Sequence, residues 1–167
     1  VFTSTKKGIR QQAIRKIALP GSAVLALLIG VAVYVIDRDW ASALFLLPVA
    51  AFQPDTSALF GPLGQVLPSF LHAYAFSLLL ILALGHSRNA RRNGALTWFA
   101  IASCLEFLQA TYFHDLLSAP ATPAAAAVAT SVQSYVLNGQ FDPGDVVASG
   151  LGCAAAFAIS SVLEVTR

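Results

Sequence analysis

The stretch Ala95–Phe113, ALTWFAIASCLEFLQATYF, holds a single charged residue, Glu106, in nineteen. As an α-helix it reaches about 28 Å, close to the ~30 Å apolar thickness of a bilayer. A carboxylate carried into that layer is unfavourable unless it has a partner or a task. Glu106 is therefore the residue around which the rest of the chain has to be read.

Three more segments have the same length and apolarity: Ala18 to Ile36, Leu67 to Leu84 and Gly144 to Leu163. Apolar residues make up 57% of the chain and charged ones 11%, and they are segregated into blocks rather than alternating. That pattern belongs to a polytopic membrane protein and not to a soluble core. The expectation is an all-α membrane helical bundle with four transmembrane helices. Residues 1–167 then form a single membrane domain that opens with a basic arm over residues 1–17.

Orientation follows from the charges between the spans. Lys6, Lys7, Arg10, Arg15 and Lys16 precede the first span without an acid, and Arg88, Arg91 and Arg92 lie in the second loop without an acid. The first loop instead sets Asp37, Asp39 and Asp55 against Arg38, and the third has Asp115 and Asp142 with no Lys or Arg. The positive-inside rule places both termini and the second loop in the cytoplasm. A net charge of +2, with the cations crowded beside spans, gives a nucleic-acid role no support.

Two further segments are expected at the outer surface. Trp40 to Phe52 is apolar but short and broken by Pro48, which suits an interfacial or re-entrant piece. Thr122-Pro123, then Ala124 to Leu137, then Asn138-Gly139 carries the cap, first-turn proline and stop signal of a surface helix. Secretory cleavage is not expected, because the basic arm is long and no small-residue site follows a short apolar core. Pro20 and Gly21 fit the start of the first span, where amides have no helical partner.

Counting about 1.5 Å per residue puts His72 roughly 8 Å, Glu106 roughly 10 Å and Gln109 roughly 6 Å below the outer boundary. Asp142 and Asp145 fall at the outer mouth of the last span. His72, Glu106, Gln109, Asp142 and Asp145 are thus the candidate site, a polar cluster drawn from three helices. A bland reading stands beside the functional one: Glu106 hydrogen-bonds His72 or Gln109 to fix packing, and the two aspartates cap the last helix.

Other chemistries find little support. No His-Glu-x-x-His or comparable spacing marks a metal site, so none is expected. No cofactor is expected either, since His86 belongs to the inner side while His72 and His114 would have to hold a haem within the outer half. Cys104 and Cys153 lack a Cys-x-x-Cys spacing and read as small apolar residues. Ser69, Ser103 and Ser149 have no nucleophile-elbow context. Gly150 and Gly152, with Ala148 and Ala154 to Ala156, form a small-residue surface for close helix approach, within the chain or against another subunit.

Three stretches together resemble a known family. They are Pro68-Ser69-Phe70-Leu71-His72-Ala73-Tyr74-Ala75-Phe76, Glu106-Phe107-Leu108-Gln109, and Gly139-Gln140-Phe141-Asp142-Pro143-Gly144-Asp145 running on to Gly152. The order, a histidine, a Glu-x-x-Gln and an Asp-x-x-Asp before a glycine, is similar to that of the VanZ-like membrane proteins, over about residues 68–152. Gln140 stands where that family often has arginine, and Ser149 where it often has asparagine. The resemblance implies a bacterial cytoplasmic-membrane protein and hands over no reaction; the leading expectation is that the outward-facing cluster binds, and in its stronger form modifies, a lipid-linked or cell-envelope ligand. A second class of function stands against it: a non-catalytic accessory subunit on the periphery of a larger membrane complex.

Overall fold

The computed structural model describes residues 2–37, 59–85, 87–110 and 140–165. These form four helices and, among the described residues, no strand: α1 Phe2–Asp37, α2 Pro62–Leu84, α3 Arg88–Leu108 and α4 Pro143–Val165. The segments Trp40 to Phe52 and Thr122 to Leu137 lie outside the described residues, as do His86 and His114.

Three of the helices carry stretches long and apolar enough to cross a membrane: Ile17–Tyr34, Pro62–Leu84 and Pro143–Leu163. The third helix is different. Arg88, Arg91 and Arg92 belong to its first turns, and the part from Ala95 to Leu108 reaches only about 21 Å, short of an apolar core of ~30 Å.

Helix ends are set by local chemistry, and several fall away from their expected places. α2 starts at Pro62 rather than Leu67, because Gly61 takes φ 53° and Pro62 supplies a preset first turn. It stops at Gly85, whose φ of 103° only glycine adopts readily and whose N–H donates to the Ile81 carbonyl at 3.0 Å. Ser87 then caps α3, accepting the Ala90 N–H on its hydroxyl at 3.1 Å. α3 ends at Leu108, not Phe113: the N–H groups of Gln109 and Ala110 donate to Glu106 and Phe107 carbonyls three residues back, tightening the last turn.

The basic arm is not separate from the first span. α1 is one helix of 36 residues, so Pro20 lies in its interior and the first-turn explanation for it does not hold. Membrane helices tolerate an interior proline where side chains help to satisfy the backbone. Pro20 withholds an N–H from the Lys16 carbonyl four residues back, and the Ser22 hydroxyl bonds a different carbonyl, that of Leu19, at 2.9 Å.

α2 is the centre of the bundle, packed against α1, α3 and α4, while α3 also packs on α4. The directions alternate along the chain. Ile81 meets Gly94 and Phe76 stacks on Trp98, so α2 and α3 are antiparallel. Ser69 meets Asp145 and Ser77 meets Cys153, so α2 and α4 run parallel.

Small residues make these approaches close. Leu19, Ala23 and Ala26 of α1 share a core with Ala75 and Leu78 of α2 and Ala156 of α4; Ala73, Ala95 and Cys153 form a second core under Trp98, Phe99 and Phe157. A Cβ on Gly152 would collide with the Phe70 carbonyl and lie 3.0 Å from the Tyr74 amide, so α4 rests on the α2 backbone itself. Gly150 faces the Phe99 ring of α3. These two glycines therefore serve contacts within the chain. Outside, Val24, Leu25 and Leu28 of α1 and Val147, Leu151 and Val162 of α4 are exposed, as on a surface made for lipid.

Candidate functional site at the acidic end of the bundle

Because the helices alternate, the end of α1, the start of α2, the end of α3 and the start of α4 meet at one end. Asp37, Glu106, Asp142 and Asp145 are all at this end, and among the described residues it contains no Lys or Arg.

Asp37, the last residue of α1, reaches the start of α2. Its Oδ1 accepts the Phe60 N–H at 3.0 Å, and its carboxylate occupies the space where a Cβ on Gly64 would stand. α2 has no side-chain cap of its own. The carboxylate of a neighbouring helix thus sits at the positive end of its dipole.

Asp142 caps α4: its Oδ1 accepts the Gly144 N–H at 2.7 Å, and its carbonyl accepts the Asp145 N–H at 3.1 Å. This is the capping role anticipated for it. Asp145 does something else. It is 8% exposed, and its Oδ1 accepts the hydroxyl of Ser69 on α2 at 2.7 Å, a length typical of a hydrogen bond to a charged acceptor.

His72 lies one helical step beyond Ser69 but faces a different neighbour. Its Nδ1 is 2.9 Å from the Pro68 carbonyl. A carbonyl can only accept, so Nδ1 carries the hydrogen. The ring lies against Gly30 of α1 and is stacked with Phe76, which in turn stacks on Trp98 of α3. His72 is thereby held from two sides.

On α3, Glu106 is half-buried with its Oε2 shielded from solvent, and Gln109, the C-cap, is 6% exposed. Phe107 beside them is stacked on Phe141, 5.4 Å between ring centres, which ties the end of α3 to the approach to α4. The two aspartates and Ser69 are therefore grouped at the α2–α4 contact, His72 at the α1–α2 contact, and Glu106 with Gln109 at the end of α3.

Ser69 is the member that sequence reasoning missed. A signal existed: a hydroxyl one turn before His72, at the depth expected for Asp145, is the donor that a buried carboxylate requires. Among the described residues no group of three or more His, Cys, Asp or Glu is arranged to hold a metal ion. The end as a whole offers oxygen acceptors and an amide, which suit ammonium or hydroxyl donors better than a phosphate. Comparison with family models, with curated proteins and with solved structures finds no match to this chain.

Proposed function

We propose that this chain is a multi-pass protein of the bacterial cytoplasmic membrane, of VanZ-like type, whose acidic end faces outward and binds a lipid-linked or cell-envelope ligand. The observation that carries the reading is Asp145, a carboxylate buried at the mouth of a membrane-length helix and gripped by a hydroxyl from another helix. Ionisable groups in such places are expensive and are retained for a task. The acceptor-rich chemistry around it favours a ligand presenting hydroxyls or an amine, such as a glycan head.

In this reading α3 is a fourth crossing. It packs on both α2 and α4, and Arg88 and Arg92 reach toward headgroups while the segment from Arg92 to Gln109 covers about 26 Å. Both termini are then cytoplasmic, with Arg88, Arg91 and Arg92 on the same side.

A second reading, a non-catalytic subunit on the edge of a larger membrane complex, is favoured by how locally Asp142 and His72 are bonded. Asp142 serves the N-terminus of its own helix and His72 its own helix and Gly30. A scaffold would use them in this way.

One experiment separates the two. The protein and its Asp145→Asn variant are purified from native membranes in mild detergent, and the accompanying lipids, glycolipids and proteins are identified by mass spectrometry. The ligand reading expects a glycan-bearing or amine-bearing lipid enriched with the parent chain and lost with Asp145→Asn, at unchanged helicity. A stoichiometric protein partner retained by both forms, with no enriched lipid, overturns it in favour of the subunit.

A further inference from the structure

The opposite end of the bundle carries a second feature, and it rests on the membrane placement of the helices, not on the ligand reading above. Of the five acidic residues among the described ones, Asp37, Glu106, Asp142, Asp145 and Glu164, only Glu164 is at the end where α3 begins. There the three arginines of α3 divide. Arg91 is buried at 7% exposure, whereas Arg88 and Arg92, one turn apart on the same face, are exposed together with Ser87 and Asn89.

A row at that four-residue spacing, turning about 40° round the helix at each step, continues into apolar surface. Residues at the four-residue spacing of Arg88 and Arg92 are Leu96, Ala100 and Cys104, and each is exposed. Leu96, 57% exposed, is about 6 Å along the axis from Arg92. Leu84, at the end of α2 just before the Gly85 turn, adds a further exposed apolar side chain at 54%. Two guanidiniums at one end of an otherwise apolar, outward stripe have the polarity of a phospholipid: an anionic head, then a chain.

We propose that this stripe binds an anionic phospholipid, its phosphodiester at Arg88 and Arg92 and an acyl chain along Leu96 and Ala100. Guanidinium pairs phosphate oxygens in a fork that ammonium does not match. Basic residues at the edge of a span attract acidic lipids by roughly fivefold in affinity per cation. A free phosphate would use only the arginines, and an acidic protein would have no use for the exposed leucine and alanine below them. The continuity of charge into apolar surface is what selects a lipid.

The test titrates the purified full chain, in neutral detergent, with short-chain phosphatidylglycerol and separately with phosphatidylcholine, and follows bound lipid by native mass spectrometry. Phosphatidylglycerol is expected to bind more tightly, and Arg88→Gln with Arg92→Gln to weaken it by roughly 25-fold, two such factors. Arg88→Lys with Arg92→Lys, which keeps the charges but not the fork, should fall between the parent and the glutamine variant, and glycerol phosphate, the head without chains, should not compete. Equal binding of the two lipids, or no loss in the glutamine variant, overturns the proposal. Competition by glycerol phosphate at equal concentration would mean a free-anion site, and tighter binding of polyglutamate than of the lipid would mean an acidic protein partner; either overturns it too. Should the glutamine variant not fold, the parent chain decides the matter. Its preference should collapse in 1 M salt, where charges are screened beyond about 3 Å, and a preference unaffected by salt would sink the idea.

Discussion

Ser69 Oγ and Asp145 Oδ1, 76 residues apart in sequence, are 2.7 Å apart in the fold and join α2 to α4 at the acidic end of the bundle. Removing the hydroxyl with Ser69→Ala should destabilise the bundle by about 0.6–2 kcal/mol, the range for a hydrogen bond between membrane helices. Ser69→Ala and Asp145→Asn together should lose less than the sum of the two, because the second change acts on a bond already broken. Thermal melting of the four proteins in one detergent measures the coupling. Strict additivity would mean that the two groups do not stabilise each other.

The α2–α4 approach at Gly152 gives a sharper contrast. Gly152→Ala forces a methyl into the α2 backbone, which cannot yield as a side chain can, and should lower stability by about 1–3 kcal/mol. Gly150→Ala meets the edge of the Phe99 ring at 3.3 Å, and a small ring movement accommodates it. Its effect should stay below about 1 kcal/mol. Melting temperatures that rank the two the other way would contradict the packing described.

His72 distinguishes framework from function. Its ring is packed on Gly30 and Phe76, so His72→Phe keeps a flat ring there and should hold stability within about 1 kcal/mol, whereas His72→Ala should lose about 1–3 kcal/mol. If the outer end binds a ligand through this histidine, His72→Phe should still abolish enrichment of that ligand. Retained enrichment would leave His72 as a packing residue.

Topology can be checked with single cysteines in a background lacking Cys104 and Cys153. Arg92 and Gln140 are both exposed and lie at opposite ends of the bundle. An impermeant thiol reagent should reach Gln140→Cys from outside intact cells and Arg92→Cys only after permeabilisation. Labelling of both from one side would end the four-crossing arrangement.

Much of the architecture was legible because bilayer length and charge act on whole segments. The apolar runs behind α1, α2 and α4 announced themselves, and the cap at Asp142 followed from an aspartate before Pro143-Gly144. The ends were less legible. Pro62 and Gly61 lengthen α2 through backbone preferences that hydropathy does not register, and α3 takes up Arg88 to Arg92 because helix formation does not stop where apolarity does. The site was partly legible for the same reason. Depth counted along the helices moved by about 7.5 Å when their ends fell at Pro62 and Leu108, and rotation about the axis could not be counted at all, though rotation is what turns Ser69 toward Asp145 and His72 toward Gly30.

The parallel pairing of α2 with α4 has a bearing on biogenesis. The α2–α3 hairpin can close as soon as it is made, across the short reversal at Gly85, but the face of α2 bearing Ser69, Ala73 and Ser77 is completed only by the last helix. At ~5–20 residues per second, the interval between synthesis of Ser69 and of Val165 is roughly 5–20 s. For that time a hydroxyl-bearing groove is open to the bilayer with its partner still in the ribosome. A substitution at Gly152, which hinders the docking of α4 on α2, should prolong that exposure beyond the end of synthesis as well as weaken the product.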